Sequence, residues 1–121
     1  QVKRTSSYNR TRNVVPRLRQ SQAASVVFVS DSAGRTPKAF HGIYGISKAA
    51  IEALSKTGAL EVELLPNLRF NTYNPGPLRT NHRVKGYPGE LVDKLSLPET
   101  AVPALLWLLG PASRGISGQT F

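Results

Sequence analysis

Cysteine and methionine are both absent from the 121 residues. Without thiols there can be no disulfide and no thiolate metal site, and two histidines far apart in sequence, His41 and His82, make a weak metal pair. The missing methionine predicts a processed product or a piece of a longer polypeptide. Long apolar runs are absent too. No window approaches about 18 consecutive apolar residues. The richest, Ala101 to Gly110, is broken by Pro103, so no membrane span is expected and the chain reads as soluble or peripheral.

Acidic residues are scarce, and most of all at the start. Residues 1–40 carry eight Lys or Arg against the single acid Asp31, whereas residues 41–121 carry eight against six. The net charge of +9 and pI near 10.5 therefore belong mainly to the first third. An Arg-rich stretch of this kind over residues 1–20 fits an acidic subunit, RNA or acidic lipid. What remains is globular in composition, with 40% hydrophobic and 19% charged residues. The length suits one small domain or about half of a larger α/β domain.

From Thr5 to Gln20, Tyr8, Thr11, Val15 and Leu18 recur at helical spacing with the arginines mostly off that stripe, which predicts an amphipathic helix kinked at Pro16. A competing reading takes the acid-free, Arg- and Ser-rich first thirty residues as an organellar transit peptide. Ser25 to Ser30 is a β-branched run, read as a buried strand. Tyr44 to Leu65 is the longest helical stretch, with Ala50, Ala53, Leu54, Thr57, Glu61 and Leu64 as its stripe and Glu52–Lys56 as a surface pair. Pro66-Asn67 ends it, and Leu68 to Tyr73 alternates as a second strand.

Residues 80–96 are polar and irregular, with Gly86, Pro88 and Gly89, and read as a mobile segment with a short helix. Leu97-Pro98-Glu99 opens a further helix whose stripe is Val102, Leu105, Leu106 and Leu109 around a core Trp107. Gly118 to Phe121 looks like the start of a strand. Helix, strand, helix, strand, loop, helix and strand in this order predict an α/β fold, a parallel Rossmann-type sheet with helices on both faces. Two and a half strands cannot cover such a sheet, so more strands are expected from the same gene product or another chain.

Tyr44-Gly-Ile-Ser-Lys48 places a phenol and an ammonium at i and i+4, on one helix face. A lysine so placed would lower the phenol's pKa and make it a usable general acid or base. The spacing alone is unspecific. Its context sharpens it: Ser30-Asp-Ser-Ala-Gly34 ends the strand before, and Asn74-Pro-Gly-Pro-Leu-Arg-Thr80 follows the strand after. In these residues the whole chain resembles the second half of the classical short-chain dehydrogenase/reductase family, with the nearest look to YciK-like bacterial oxidoreductases. The resemblance implies NAD- or NADP-dependent hydride transfer. Tyr44 would exchange a proton with the substrate oxygen, and Lys48 would hold the nicotinamide ribose and tune Tyr44. Pro75, Gly76, Leu78 and Thr80 would line the nicotinamide, residues 80–96 would bind substrate, and the helices Thr5–Gln20 and Tyr44–Leu65 would make a family-like dimer.

Two departures accompany the match. The family's catalytic serine, 13 residues before the tyrosine, falls on Asp31, which as a carboxylate accepts hydrogen bonds but cannot donate one. Ser32 is the neighbouring candidate for that role. The family's catalytic asparagine falls on Lys3, so Lys3 and Asp31 are expected to pair across the former catalytic space. No Gly-x-Gly-x-x-Gly turn is present, so this chain alone is not expected to bind a dinucleotide well. His41 and His82 read as loop residues. These features leave three expectations: an oxidoreductase half-domain, a catalytically degenerate structural subunit of a larger, RNA-containing assembly such as an organellar ribosome, and an RNA-binding module.

Overall fold

A computed structural model describes residues 2–121, with side chains from residue 5 onward. Helix α1 (Val2–Leu18) leads to strand β1 (Ala24–Val29), helix α2 (Gly42–Glu61) and strand β2 (Leu68–Tyr73). Helices α3 (Asn81–Gly86) and α4 (Val102–Leu109) follow. The two strands pair in parallel, from Ala24 opposite Leu68 to Val29 opposite Tyr73, with α2 as the crossover. The last residues return alongside β2. Thr72 N donates to Gln119 O at 2.9 Å and Phe121 N to Thr72 O at 3.0 Å, so the expected terminal strand is present as a parallel bridge. The result is a partial Rossmann-type α/β sheet with helices packed against it.

Alternation along the strands assigns the two faces. Leu68 and Phe70 of β2 form the core with Val62, and Ala24, Val26 and Phe28 of β1 pack against it. Val15 and Leu18 bring α1 onto this face, and Ala59 brings α2. Phe70, 1% exposed, stacks on Phe28 with ring centroids 6.4 Å apart. Gly58 lets α2 come down onto that ring, since a Cβ there would lie 2.9 Å from Phe70 Cδ1.

The opposite face is held by polar groups. Ser25 Oγ donates to Leu108 O at 2.7 Å. The Arg69 guanidinium donates to Ser113 O, to Ser113 Oγ at 2.6 Å and to Gly110 O at 3.0 Å. Asn71 donates to Ile116 O at 2.9 Å and accepts from Gln119 N at 3.1 Å. These bonds satisfy buried strand side chains that would otherwise be costly to desolvate.

Several expectations need correction. β1 is half-buried rather than buried, with Val29 exposed, because among the described residues its only strand neighbour is β2. On α1 Tyr8 points outward, 55% exposed, and the helix ends at Leu18, two residues before Gln20. The exposed arginines Arg10, Arg12 and Arg17 lie along the same helix, and Arg19 follows its end. The inward line of α2 is Ile51, Glu52, Ser55 and Gly58, while Ala53, Thr57 and Glu61 are exposed. Gly58 belongs to this line because the helix packs too close to Phe70 for a larger residue there. Glu52 does not form a surface pair with Lys56; it is 5% exposed and bonded elsewhere. On α4 only Leu108 is fully buried, Leu105 is half-buried, and Val102, Leu106 and Leu109 are exposed. Trp107 is 40% exposed and meets Phe121 edge-on rather than filling the core. No helix of the described residues is long and apolar enough to cross a membrane.

Candidate active site

Both strands deliver their C-terminal ends to one cavity of about 590 Å³, the position where ligands bind in open parallel sheets. Val29, Ser30 and Asp31 line it from β1, Tyr44 and Lys48 from α2, and Pro75, Gly76, Leu78 and Thr80 from beyond β2. The residues expected at the site are thus brought together, with two exceptions. Ser32 is turned to Lys38, whose Nζ donates to its Oγ at 3.1 Å. The side chain of Lys3 lies outside the described residues, and with it the expected pairing to Asp31.

The loop after β1 is braced by a cap within itself and is fastened to α2 through Gly34, Ser30 and Arg35. Asp31 Oδ1 accepts from Ala33 N at 2.8 Å, capping a 3₁₀ turn over Ser32–Gly34. Gly34 lies directly on the helix backbone, where a Cβ would come within 2.9 Å of Ala49 N. Ser30 Oγ donates to the buried Glu52 Oε1 at 2.9 Å, and Arg35 Nε stands 3.5 Å from the same oxygen. Glu52 follows Tyr44 and Lys48 at the same four-residue spacing, and that repeat was the signal for it in the sequence.

Tyr44 and Lys48 occupy successive turns at the start of α2. The Lys48 ammonium lies 5.6 Å from the centroid of the Tyr44 ring and donates to Val29 O at 3.4 Å. The Tyr44 phenol is nevertheless pushed up, not down, from its ordinary pKa: burial is the main cause, followed by the negative charge of Asp31 and then by Tyr87, with Arg83 opposing. The expectation of a lowered pKa is corrected accordingly. The reason is local: burial, and after it the carboxylate of Asp31, disfavours phenolate.

Segment 80–96 closes the far side and is more tied down than its composition suggests. Its ends meet through a Leu78–Ser96 bridge, with Arg79 N donating to Ser96 O at 2.8 Å. Thr80 Oγ1 caps α3 by accepting from Arg83 N at 3.1 Å. Arg83 grips Glu90 with two hydrogen bonds of 2.7 and 2.8 Å, and its guanidinium lies 3.7 Å over the Tyr87 ring. Those bonds raise the pKa of Arg83 and hold the Glu90 carboxyl below its usual range. Tyr87 Oη lies 3.2 Å from His41 Nε2. The His41 ring in turn stands edge-on to Tyr44, with centroids 6.1 Å apart. His82 is exposed yet faces the cavity, tilted against Tyr44 at 6.3 Å. His41 is therefore a cavity residue rather than a bystander in a loop. Arg83, Tyr87 and Glu90 carried no usable signal, because they meet only after an irregular segment has folded back.

The arrangement offers a phenol for proton transfer and an ammonium and a hydroxyl for donation to sugar hydroxyls. Beside them lies an apolar Pro75–Leu78 ledge. This fits the nicotinamide and ribose end of a dinucleotide. Among the described residues no cluster of three or more His, Asp or Glu could hold a metal.

A sequence model of short chain dehydrogenases matches residues 1–90. The oxidoreductase YciK of Escherichia coli K12 is 39% identical over all of this chain and 47% of its own length. NADPH-dependent aldehyde reductase 2 from the chloroplast of Arabidopsis thaliana is 29% identical over 89% of this chain and 43% of its own. A short chain dehydrogenase of Escherichia coli CFT073, solved with NADPH, superposes with a TM-score of 0.91 at 38% identity, covering 97% of this chain and 48% of that one. The chain spans about half the length of the curated relatives it matches. By the span of that match, by its identity to YciK along its whole length and by its fold, the chain belongs to the short-chain dehydrogenase/reductase family.

Proposed function

We propose that this chain is the catalytic part of an oxidoreductase that uses NADP(H) or NAD(H) to interconvert a carbonyl compound and an alcohol. The observation that carries the reading is the placing of Tyr44 and Lys48 on adjacent turns inside the cavity at the C-terminal ends of two parallel strands. A bound nicotinamide cofactor supplies the hydride for reduction or takes it up in oxidation.

The chain's own residues do the rest. In reduction the carbonyl π electrons move to oxygen as the carbon gains hydride, and Tyr44 Oη gives its proton to that oxygen. Because burial and Asp31 hold the Tyr44 proton on, the phenol is set up as an acid across the neutral range. Lys48 keeps a positive charge near the phenolate that results and donates to ribose hydroxyls. Pro75, Gly76, Leu78 and Thr80 form the cofactor wall. Segment 80–96 forms the substrate wall and excludes water.

The same reading completes the sheet beyond β1 with strands from the same polypeptide or a second chain. It uses α1 and α2 as the faces of a family-like dimer. The structural-subunit alternative rests on Asp31, Lys3 and the Arg-rich residues 1–20.

The test is turnover of aliphatic and aromatic aldehydes with NADPH by the native polypeptide that carries this chain. Tyr44→Phe is expected to lower kcat by about 100-fold or more while NADPH binding persists. No aldehyde turnover by the wild type, or full activity in Tyr44→Phe, overturns the proposal.

A further inference from the structure

Hydride transfer places negative charge on the substrate oxygen, and a site of this kind is expected to meet it with preorganised donors. One is Tyr44. The position for the other holds Asp31, a carboxylate whose Oδ1 is engaged by Ala33 N and which has no proton to give. The cavity needs a second, uncharged donor.

Tyr87 has the right chemistry and place. It lines the same cavity as Asp31 and Tyr44. Its ring is clamped from one face by Arg83 at 3.7 Å, and Arg83 is itself fixed by its paired bonds to Glu90 at 2.7 and 2.8 Å. A cation over the ring face is attracted by the ring quadrupole and holds the ring in place.

The direction of the Tyr87–His41 hydrogen bond decides whether that O–H is available. His41 Nδ1 is buried and has no hydrogen-bond partner among the described residues. A buried N–H without an acceptor is rarer than an acceptor left short of a donor. The tautomer with the proton on Nε2, 3.2 Å from Tyr87 Oη, leaves the buried Nδ1 as an unfilled acceptor rather than a stranded donor. Nε2–H donates to the phenolic oxygen. The proton of Tyr87 is then not spent on His41 and can be donated to a molecule in the cavity that Tyr87 lines.

We propose that Tyr87 supplies the second hydrogen bond to the reacting oxygen, taking the part that Asp31 cannot play, with His41 and Arg83 as its positioning residues. The assignment rests on the oxidoreductase reading above. It adds a catalytic residue from the substrate wall.

The test uses the native polypeptide carrying this chain, as wild type, Tyr87→Phe, Asp31→Ser and the double variant, with NADPH and either hexanal or benzaldehyde. Tyr87→Phe keeps the ring on Arg83 and removes only the hydroxyl. Its kcat is expected to fall about 100-fold with KM for NADPH unchanged. In the Asp31→Ser background, where a serine hydroxyl can donate, the same change is expected to cost only a few-fold. A second readout needs no turnover. The C=O stretch of benzaldehyde bound with NADP⁺ should lie lower in the wild type and move to higher wavenumber in Tyr87→Phe.

Wild-type kinetics in Tyr87→Phe overturns the assignment. An equal loss in both backgrounds does so too, since it would make Tyr87 a brace for the loop. No aldehyde turnover and no bound-carbonyl signal in wild type and Asp31→Ser alike would overturn the oxidoreductase reading, and the assignment with it.

Discussion

The two walls of the cavity are held by different physics. The wall made by β1 and α2 is braced from inside, where Glu52 is buried beneath Ser30 and the Gly34 backbone rests on the helix. The wall made by segment 80–96 is braced from outside, by an Arg83–Glu90 pair that solvent still reaches. A buried bond breaks only with local unfolding, whereas a surface pair is screened by salt and contributes little to global stability. On the proposed reading Tyr44, which moves the proton, sits on the stiff side, and the substrate wall with Tyr87 sits on the adjustable side.

Removing the inner brace should have the largest effect. Glu52→Ala leaves the buried Ser30 hydroxyl with only a long 3.5 Å bond to Asp31 O and is expected to cost about 1–3 kcal/mol by chemical denaturation. Activity should fall as well, because the loop bearing Asp31 loses its fixed distance from Tyr44. If Glu52→Ala unfolds like the wild type, the stiff wall owes nothing to this carboxylate.

The charge on that wall gives a second, smaller effect. Asp31 is one of the causes that raise the Tyr44 pKa, so Asp31→Asn must lower it. For reduction Tyr44 has to be protonated, and activity is lost as pH rises through its pKa. The alkaline limb of kcat is thus expected to lie above the ordinary tyrosine value of about 10 and to move toward lower pH in Asp31→Asn. A limb that stays put would remove Asp31 from the electrostatics of the site.

The outer brace should matter least to the fold and most to substrate. Glu90→Gln is expected to leave Tm unchanged and to raise KM for the aldehyde, an effect mimicked in the wild type by added salt. Acid acts in the same direction. The Glu90 carboxyl is held below its usual range by Arg83, so its contribution is complete at neutral pH and is lost only as pH falls through that depressed pKa. A large fall in Tm in Glu90→Gln would show both walls to be structural alike.

Much of this was legible in the residues. β2 has the bounds its alternation predicted, and the order of elements and the parallel pairing followed from the pattern of helices and strands. Tyr44 and Lys48 could be placed on one face because helical spacing is local geometry. Failures occurred where two periodic lines competed. On α4 the apolar line Val102–Leu106–Leu109 lost to Leu108, because it is Leu108 O that Ser25 of β1 reaches. On α2 the expected stripe lost to the buried Ser55 and to Gly58, which sits directly on the Phe70 ring. Glu52 looked like a surface acid, since neither Ser30 nor Arg35 is near it in the chain.

What the amino-acid sequence determined by itself was the local order of the chain: element types, the bounds of β2 and the Tyr44–Lys48 pair, all set by contacts within a few residues. Only the tertiary structure decided which faces turn inward, why Tyr44 holds its proton, and that Tyr87 comes to His41 across 46 residues. Burial and electrostatic fields sum over groups that folding brings together, and their strength depends on distances in space that separation along the chain does not encode.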